Sequence, residues 1–147
     1  MDRTGKKVNL NPELIVPEYF IDLLERPICA TLMTIMPDGG PHASVVWRLW
    51  EKPYIYFVTD PKSRKGLNML RDPRVAMTMI DPDYTNRYLT VYGNIKNNWP
   101  DPVGEFSDRI AVLYDGKPTY SGSVPEDLKG KLFGYCITPI RFVGKSY

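Results

Sequence analysis

A cluster of cations and hydroxyls between residues 59 and 68 has the most recognisable chemistry in the chain. The segment reads Thr-Asp-Pro-Lys-Ser-Arg-Lys-Gly-Leu-Asn and follows an aromatic and β-branched run at residues 54 to 58. Apolar residues then recur at helical spacing up to the Asp-Pro step at residues 72 and 73, which predicts a short helix over residues 63 to 71. The hydroxyls and charges therefore fall at the start of a helix.

Cations in the first turn of a helix are unfavourably placed, because the helix N-terminus itself has partial positive charge. A bound phosphate removes this conflict, since free backbone N–H groups, two hydroxyls and two cations could converge on it. The predicted phosphate ligands are Thr59, Ser63, Arg64 and Lys65. A basic helix start that faces only solvent explains the local pattern equally well.

Other groups that could do chemistry are few. His42 is the only histidine, and neither Cys29 nor Cys136 has a motif partner, so nucleophilic triads and zinc sites are hard to build. We expect His42 to be structural and both cysteines to be buried free thiols within strands. No Gly-x-Gly-x-x-Gly or complete P-loop is present. A bound cofactor could then carry the reaction, with no metal site and no assigned catalytic side chain.

Composition bounds the class of protein. The 147 residues, 43% hydrophobic and 24% charged, fit one domain spanning residues 1 to 147. No apolar run approaches the roughly 20 residues of a transmembrane helix, and no signal-peptide core is visible, so we expect a soluble, cytoplasmic protein without a membrane partner. The net charge of +2 is too small to imply general nucleic-acid binding.

The elements that must position these residues are mostly strands. An Asp-Gly step at residues 38 and 39 predicts a hairpin, and Pro139 predicts an edge or a bulge in the last strand. Short antiparallel connections favour a mainly β fold with a few helices, a six-stranded antiparallel β-barrel. The predicted strands are residues 28–36, 42–50, 54–59, 74–80, 87–95 and 132–143; the predicted helices are residues 17–26, 63–71 and 103–114, and residues 118–125 are predicted to be a loop.

The second predicted strand could hold a planar ring. Its alternation places Ser44 and Val46 on one face and Val45 and Trp47 on the other. Beside the third strand, its backbone could offer donors and acceptors to a ring whose phosphate end is held by the following helix. The alternative is that Val45 and Trp47 are ordinary barrel core, and for Trp47 this alternative explains the pattern at least as well.

The chain contains a series of short motifs in a characteristic order. They are Ala-Thr-Leu at residues 30–32, Pro-Asp-Gly-Gly-Pro at 37–41, Ser-Val-Val-Trp at 44–47, Phe-Val-Thr at 57–59, Ser-Arg-Lys at 63–65 with Asn68, Arg-Asp-Pro-Arg-Val at 71–75 and Arg-Tyr-Leu at 87–89. In this order and spacing they resemble the pyridoxamine 5'-phosphate oxidase-like family of FMN-binding split β-barrels. The resemblance covers most of residues 20 to 96. The family includes a short branch, some of whose members use the deazaflavin F420.

The resemblance implies a homodimer with two equivalent flavin sites at the subunit interface, and partner subunits that contribute the strand with Arg87 and Tyr88. FMN is the expected cofactor and F420 the alternative, with a small organic molecule as acceptor. The cofactor-binding residues implied in this way are Ser44, Val45, Val46, Trp47, Val58, Thr59, Ser63, Arg64, Lys65, Asn68, Arg87 and Tyr88.

The chain also departs from the family pattern. Typical pyridoxamine-phosphate oxidases have an arginine where Ser44 stands, and they end in a Trp-rich and Arg-rich segment that is not evident here. The resemblance therefore implies a flavin-dependent oxidoreductase without implying pyridoxamine phosphate as substrate. Two alternatives stay open: an F420-dependent reductase of the same fold, and a non-catalytic flavin carrier or nucleic-acid-binding barrel. In the last case bases would stack on Tyr54, Tyr56, Tyr88 and Tyr92.

Overall fold

A seven-stranded antiparallel sheet dominates the computed structural model, which describes residues 14–118 and 126–147. Its order is β2-β1-β5-β6-β7-β4-β3, so β2 and β3 are the two edges and the sheet is not closed. The mainly β, antiparallel prediction is confirmed, with seven strands in place of six. The strands are β1 Ala30–Ile35, β2 Pro41–Val46, β3 Arg48–Glu51, β4 Tyr54–Thr59, β5 Arg74–Ile80, β6 Arg87–Pro100 and β7 Phe133–Ser146.

The seventh strand arises from a break at Trp47. The single strand predicted over residues 42 to 50 is two strands, of which β2 pairs with β1 and β3 pairs with β4. The prediction was wrong because Val46 and Arg48 both face inward, so the alternation of buried and exposed residues continues across the break. Trp47 thus separates the two edge strands of the open sheet.

Three α-helices accompany the sheet in the described residues: α1 Asp22–Glu25, α2 Arg64–Arg71 and α3 Glu105–Asp115. Single 3₁₀ turns cover Glu18–Phe20 and Glu126–Leu128. The helices predicted over residues 63–71 and 103–114 are confirmed, whereas residues 17–26 contain less α-helix than predicted. Most of the predicted loop over residues 118–125 lies outside the described residues. In the described residues no helix is long and apolar enough to cross a membrane.

Two local predictions about turns and bulges are confirmed. The β1–β2 hairpin turns at Gly39, whose φ of +85° favours glycine, and the Asp38 carboxylate accepts a hydrogen bond from the backbone N–H of Gly40. In β7 the pairing shifts at Pro139, which lies opposite Gly93, whereas Arg141 lies opposite Tyr92. The proline therefore lies at a bulge of an internal strand.

The core lies between the inward face of the sheet and the N-terminal helical turns. Leu23 and Leu24 of α1 pack in the same cluster as the inward side chains of the strands. Cys136 is buried as predicted, but Cys29 is exposed and its prediction was wrong. Strand β1 begins one residue after Cys29, so the thiol never enters the alternation that buries Ala30.

The other side of β1, β2, β5 and β6, named the outer face here, exposes apolar side chains. Val45 is 69% exposed, Ile80 46% and Tyr92 40%. Strand register brings the outward residues into rows: Val45 lies opposite Thr31, and Ala76 lies opposite Tyr92. A groove of about 280 Å³ opens on this face. Its lining includes Met33, Ile35, Pro41, Arg74, Ala76 and Tyr92.

Candidate functional site

The turn between β4 and α2 is held by local hydrogen bonds. Ser63 is the N-cap of α2: its hydroxyl accepts from the Gly66 N–H at 3.2 Å and donates to the Asp60 carbonyl at 2.6 Å. The buried Thr59 hydroxyl lies 3.4 Å from that of Ser63. The N–H groups of Arg64 and Lys65 have no acceptor within the helix, because helical pairing begins later. This turn therefore presents the Thr59 hydroxyl and two backbone donors, whereas the Ser63 hydroxyl proton already goes to the Asp60 carbonyl.

Gly66 fixes how closely the helix approaches this turn. A Cβ at this position would lie 2.5 Å from the Pro61 carbonyl oxygen and 2.7 Å from that of Asp60. Such distances leave no room for a side chain unless the backbone moves. The glycine of the motif thus allows the first turn of α2 to pack directly on the preceding loop.

Among the described residues, the charges at this helix start have no ion-pair partner. Within residues 14–118 and 126–147, no carboxylate forms an ion pair with Lys62, Arg64 or Lys65. Lys65 is half-buried, and this desolvation lowers the pKa of its amine. A half-buried cation at a helix N-terminus is the arrangement expected where an anion binds.

Ser44 offers a buried hydroxyl on the neighbouring hairpin. Its Oγ is inaccessible and has no hydrogen-bond partner among the described residues. Helix α2 packs against the same hairpin, because the Asn68 amide donates to the Thr34 hydroxyl at 3.0 Å. Buried hydroxyls are almost always paired, so an unpaired one fits a polar ligand that binds there. Among the described residues, the Ser44 hydroxyl therefore stays without a partner on the hairpin against which α2 packs.

The break between β2 and β3 lies beside the end of β4. The last β3–β4 pair is Arg48 with Phe57, so Trp47 and Val58 follow directly at that end, next to Val46 and Thr59. The structure thus brings the predicted ring-binding and phosphate-binding segments to one end of the sheet.

Trp47 is not a core side chain. The residue is 36% exposed, and its ring stacks on Tyr114 of α3, with centroids 4.8 Å apart and an angle of 3° between the planes. Val45 points to the outer face. The core interpretation of these two residues was therefore wrong.

Asn68 and Arg87 are engaged within the chain. Asn68 has no exposed surface. Arg87 pairs with Asp22 and Asp81 and donates to the Tyr19 carbonyl at 2.8 Å. Cofactor contact by either side chain stays a prediction.

Tyr88 lies at the start of β6 on the outer face, opposite Ile80, where its side chain is partly accessible. A hydrogen bond involving Tyr147 raises the pKa of the Tyr88 phenol. Its position on this face is compatible with the predicted contribution to a partner subunit.

Sequence reasoning missed the role of Arg48. This arginine is 2% exposed, and its guanidinium donates to the carbonyls of Leu24 and Leu23, both at 2.5 Å, and of Arg26 at 2.8 Å. Burial lowers the pKa of Arg48. The available signal was a charged residue at an inward position of the alternation.

Tyr114 was also missed. Its hydroxyl accepts from the Arg48 N–H at 3.0 Å and lies 2.9 Å from the Arg48 carbonyl and 3.1 Å from that of Ile28, to which it can donate. Sequence reasoning had no signal for this contact, because 66 residues separate the tyrosine from Arg48.

Comparison with known proteins agrees with this architecture. The family model described as pyridoxamine 5'-phosphate oxidase matches residues 17–126. A solved F420 reductase is 36% identical, with 87% of this chain and 98% of that chain covered and a TM-score of 0.78. A conserved hypothetical protein from Mycobacterium tuberculosis, 24% identical over 92% of this chain and 88% of that chain with a TM-score of 0.69, shares the fold.

A curated relative extends the comparison. The pyridoxine/pyridoxamine 5'-phosphate oxidase of Thermobifida fusca is 34% identical over 71 residues, which are 48% of this chain and 32% of that protein. The match thus spans about a third of the relative's length. Because the family model covers well over half of the sequence, the chain belongs to the pyridoxamine 5'-phosphate oxidase family.

Proposed function

We propose that this protein is an oxidoreductase whose flavin-type cofactor is anchored by its phosphate at the start of α2. The observation that supports this most strongly is the half-buried Lys65, which has no carboxylate partner among the described residues and lies at a helix N-terminus. Thr59, Ser63 and Arg64 complete the proposed phosphate contacts. Ser44, whose buried hydroxyl has no hydrogen-bond partner in the described part of the chain, lies on the neighbouring hairpin.

F420 is the first candidate for the cofactor. The F420 reductase aligns over nearly its whole length at 36% identity, whereas the curated oxidase aligns over 32% of its length. FMN, which the sequence analysis expected, is the second candidate, because both molecules present a phosphate to the same residues. Pyridoxamine phosphate is not proposed as the substrate, since Ser44 stands where typical oxidases of this kind have an arginine.

A homodimer across the outer face completes the proposal. This face exposes Val45 and Ile80 and includes Tyr88, so pairing two copies would remove apolar surface from water while bringing two sheets together. The cofactor ring would lie between residues 44–47 of one copy and the strand with Tyr88 of the other.

The bound cofactor supplies hydride transfer to a small organic acceptor. The chain's own residues then bind and orient: α2 holds the phosphate, residues 44–47 and Val58 border the ring, and the Tyr114 stack fixes the position of Trp47. No protein acid or base is assigned to the reaction. The proposed setting is the cytoplasm.

The contacts of the tyrosines favour this function over nucleic-acid binding. Tyr56 packs edge-on against Trp99 and Phe106, with centroids 6.0 and 5.9 Å apart, and the ring of Tyr92 lies under the Arg141 guanidinium at 4.4 Å. Rings packed in this way offer less surface for stacked bases.

Mass spectrometry of the small molecule released from purified protein, combined with titration of cofactor-free protein with F420 and FMN, tests the proposal. We expect F420 to bind more tightly. Tight binding of FMN alone would select the second candidate. A protein that binds neither molecule would refute the function.

A further inference from the structure

Two side chains of α2, one helical turn apart, attach this helix to the β1–β2 hairpin. The Asn68 amide donates to the Thr34 hydroxyl at 3.0 Å and to the Met36 sulfur at 3.5 Å. Arg71 donates to the Ile35 carbonyl and, at 3.5 Å, to the side-chain oxygen of Asn68. The two side chains thus contact three successive residues, 34 to 36, where β1 ends.

The hydrogen bond between Asn68 and Thr34 is internal to the chain. Asn68 has no exposed surface and Thr34 is 2% exposed, so a bound cofactor would have almost no access to either side chain. Removing one partner of a buried pair leaves the other without its hydrogen bond, which is unfavourable. Asn68 can therefore affect a ligand through the two elements that it joins.

These two elements contain the opposite ends of the proposed cofactor site. On α2, the half-buried Lys65 stands three residues before Asn68, so the two side chains are neighbours on one side of the helix. On the hairpin, Thr34 lies opposite His42, and the proposed ring-binding residues 44–47 begin two residues later. The Asn68–Thr34 bond thus connects the helix of the phosphate contacts with the strand of the ring contacts.

A ligand with two connected ends gains affinity only when its two subsites stand at the right separation. After one end binds, the other binds as an intramolecular event, and its effective concentration depends on how well the ligand spans the two subsites. If α2 shifted on the hairpin, both subsites would persist but their separation would change. The whole ligand would then bind more weakly, whereas each separate end would bind as before.

We propose that Asn68 is a positioning residue, which through Thr34 fixes the separation between the phosphate subsite at the start of α2 and the ring subsite at residues 44–47. This inference rests on the function proposed above and gives Asn68 an indirect role in cofactor binding. Arg71 supports the same attachment through the Ile35 carbonyl.

Binding of the whole cofactor and of its two separate ends to the full-length protein tests this role. The probes are F420, its phosphate-free deazaflavin alcohol and inorganic phosphate; if the wild type binds only FMN, then FMN and riboflavin replace the first two. Thr34→Val removes the hydroxyl at nearly constant shape. We expect this variant to bind the whole cofactor about ten-fold more weakly, while its affinities for the ring alcohol and for phosphate change less than about two-fold.

Further variants separate the hydrogen bond from general stability. Thr34→Ser keeps the hydroxyl and should retain most of the wild-type affinity. Asn68→Leu should match Thr34→Val, and the double variant should be no weaker than either, because each removes the same bond. Val91→Ala, at a buried core position of β6, is the control: urea unfolding should show lower stability, but the whole cofactor should bind as it does to the wild type.

The outcomes distinguish the positioning role from the function on which it rests. Equal losses for the whole cofactor and the ring alcohol, or wild-type affinity of Thr34→Val for the whole cofactor, would overturn the positioning role and leave the proposed function in place. Additive losses in the double variant would also overturn it, since Asn68 would then act independently of Thr34. A wild type that binds neither F420 nor FMN would refute the function, and the positioning role with it.

Discussion

Lys65 is the residue on which the proposed phosphate site depends most. Lys65→Ala should weaken cofactor binding by about ten-fold to a hundred-fold, because a charge-assisted hydrogen bond contributes about 1.5 to 3 kcal/mol. Lys65→Arg should retain much of the affinity. Equilibrium titration of cofactor-free protein measures the effect, and urea unfolding should show little change in the free energy of unfolding. Unchanged affinity in Lys65→Ala would remove the phosphate assignment.

The lowered pKa of Lys65 also predicts a pH dependence. Its amine loses its proton at a lower pH than an ordinary lysine, because burial disfavours the charged form. Cofactor affinity should therefore fall as the pH rises through the pKa of the free protein's Lys65, and the fall should be absent in Lys65→Ala. Titrations between neutral and alkaline pH measure both. The same alkaline fall in Lys65→Ala would assign it to another group.

Gly66 should tolerate no side chain. Gly66→Ala forces its Cβ toward two backbone carbonyl oxygens, so the loop and α2 must separate, at a cost of about 1 to 3 kcal/mol in unfolding free energy. Cofactor affinity should fall with it, since Ser63 is displaced. Leu70→Ala, at an 83% exposed position of the same helix, is the control and should change neither quantity much. Urea unfolding and cofactor titration measure the two quantities. A Gly66→Ala variant with the same stability and affinity as the control would contradict the prediction.

At the scale of the elements, Tyr114 joins α3 to the free edge of β3. Tyr114→Phe keeps the ring that stacks on Trp47 but removes the hydroxyl, so the main-chain groups of Arg48 lose a partner. We expect the free energy of unfolding to fall by about 1 to 3 kcal/mol. Val112→Ala on the same helix, at a 45% exposed position, is the control. Equal stability of Tyr114→Phe and the wild type in urea would show that water replaces the hydroxyl.

A second element-scale contact ties the N-terminal turns to β5 and β6. The Asp83 N–H, followed by the Arg26 and Arg87 guanidinium groups, holds the pKa of Asp81 below its ordinary value of 3.8. Its folded pKa is thus below its unfolded pKa, so this stabilisation is present above about pH 4 and is lost as the pH falls further. Asp81→Asn should lower the midpoint of urea unfolding at pH 7. As the pH falls below about 4, the midpoint of this variant should decrease less than that of the wild type. An unchanged acid profile would contradict this role.

The outcome of sequence reasoning differs between elements for physical reasons. Strands β4 and β5 and helix α2 could be predicted, because each has a local signal: β-branched residues, a cap and a terminating Asp-Pro step. The break at Trp47 could not be predicted, because the pairing partner changes there while the alternation of buried and exposed side chains continues. The proposed phosphate ligands could be named together because they lie within seven residues, and their role stays a prediction. The Arg48–Tyr114 contact joins distant segments that only the fold brings together.

At the scale of the whole molecule, the outer face should decide the oligomeric state. It exposes Val45 at 69%, and the proposed cofactor site needs residues from two copies, so dimerisation and cofactor binding should be lost together. Ile80→Asp, on the same face at a 46% exposed position but outside the residues that border the ring, buries an unpaired carboxylate in the proposed interface, which is strongly unfavourable. We expect this variant to be a folded monomer with at least ten-fold weaker cofactor binding.

Analytical ultracentrifugation and cofactor titration test this linkage. Val103→Asp is the matched control, because Val103 is 75% exposed but precedes α3 instead of lying in a strand of the outer face. The control should stay dimeric and bind cofactor as the wild type does. A wild-type protein that is monomeric when loaded with cofactor would refute the interface. An Ile80→Asp monomer with full affinity would instead show that one copy supplies the whole site, since this variant separates assembly from binding.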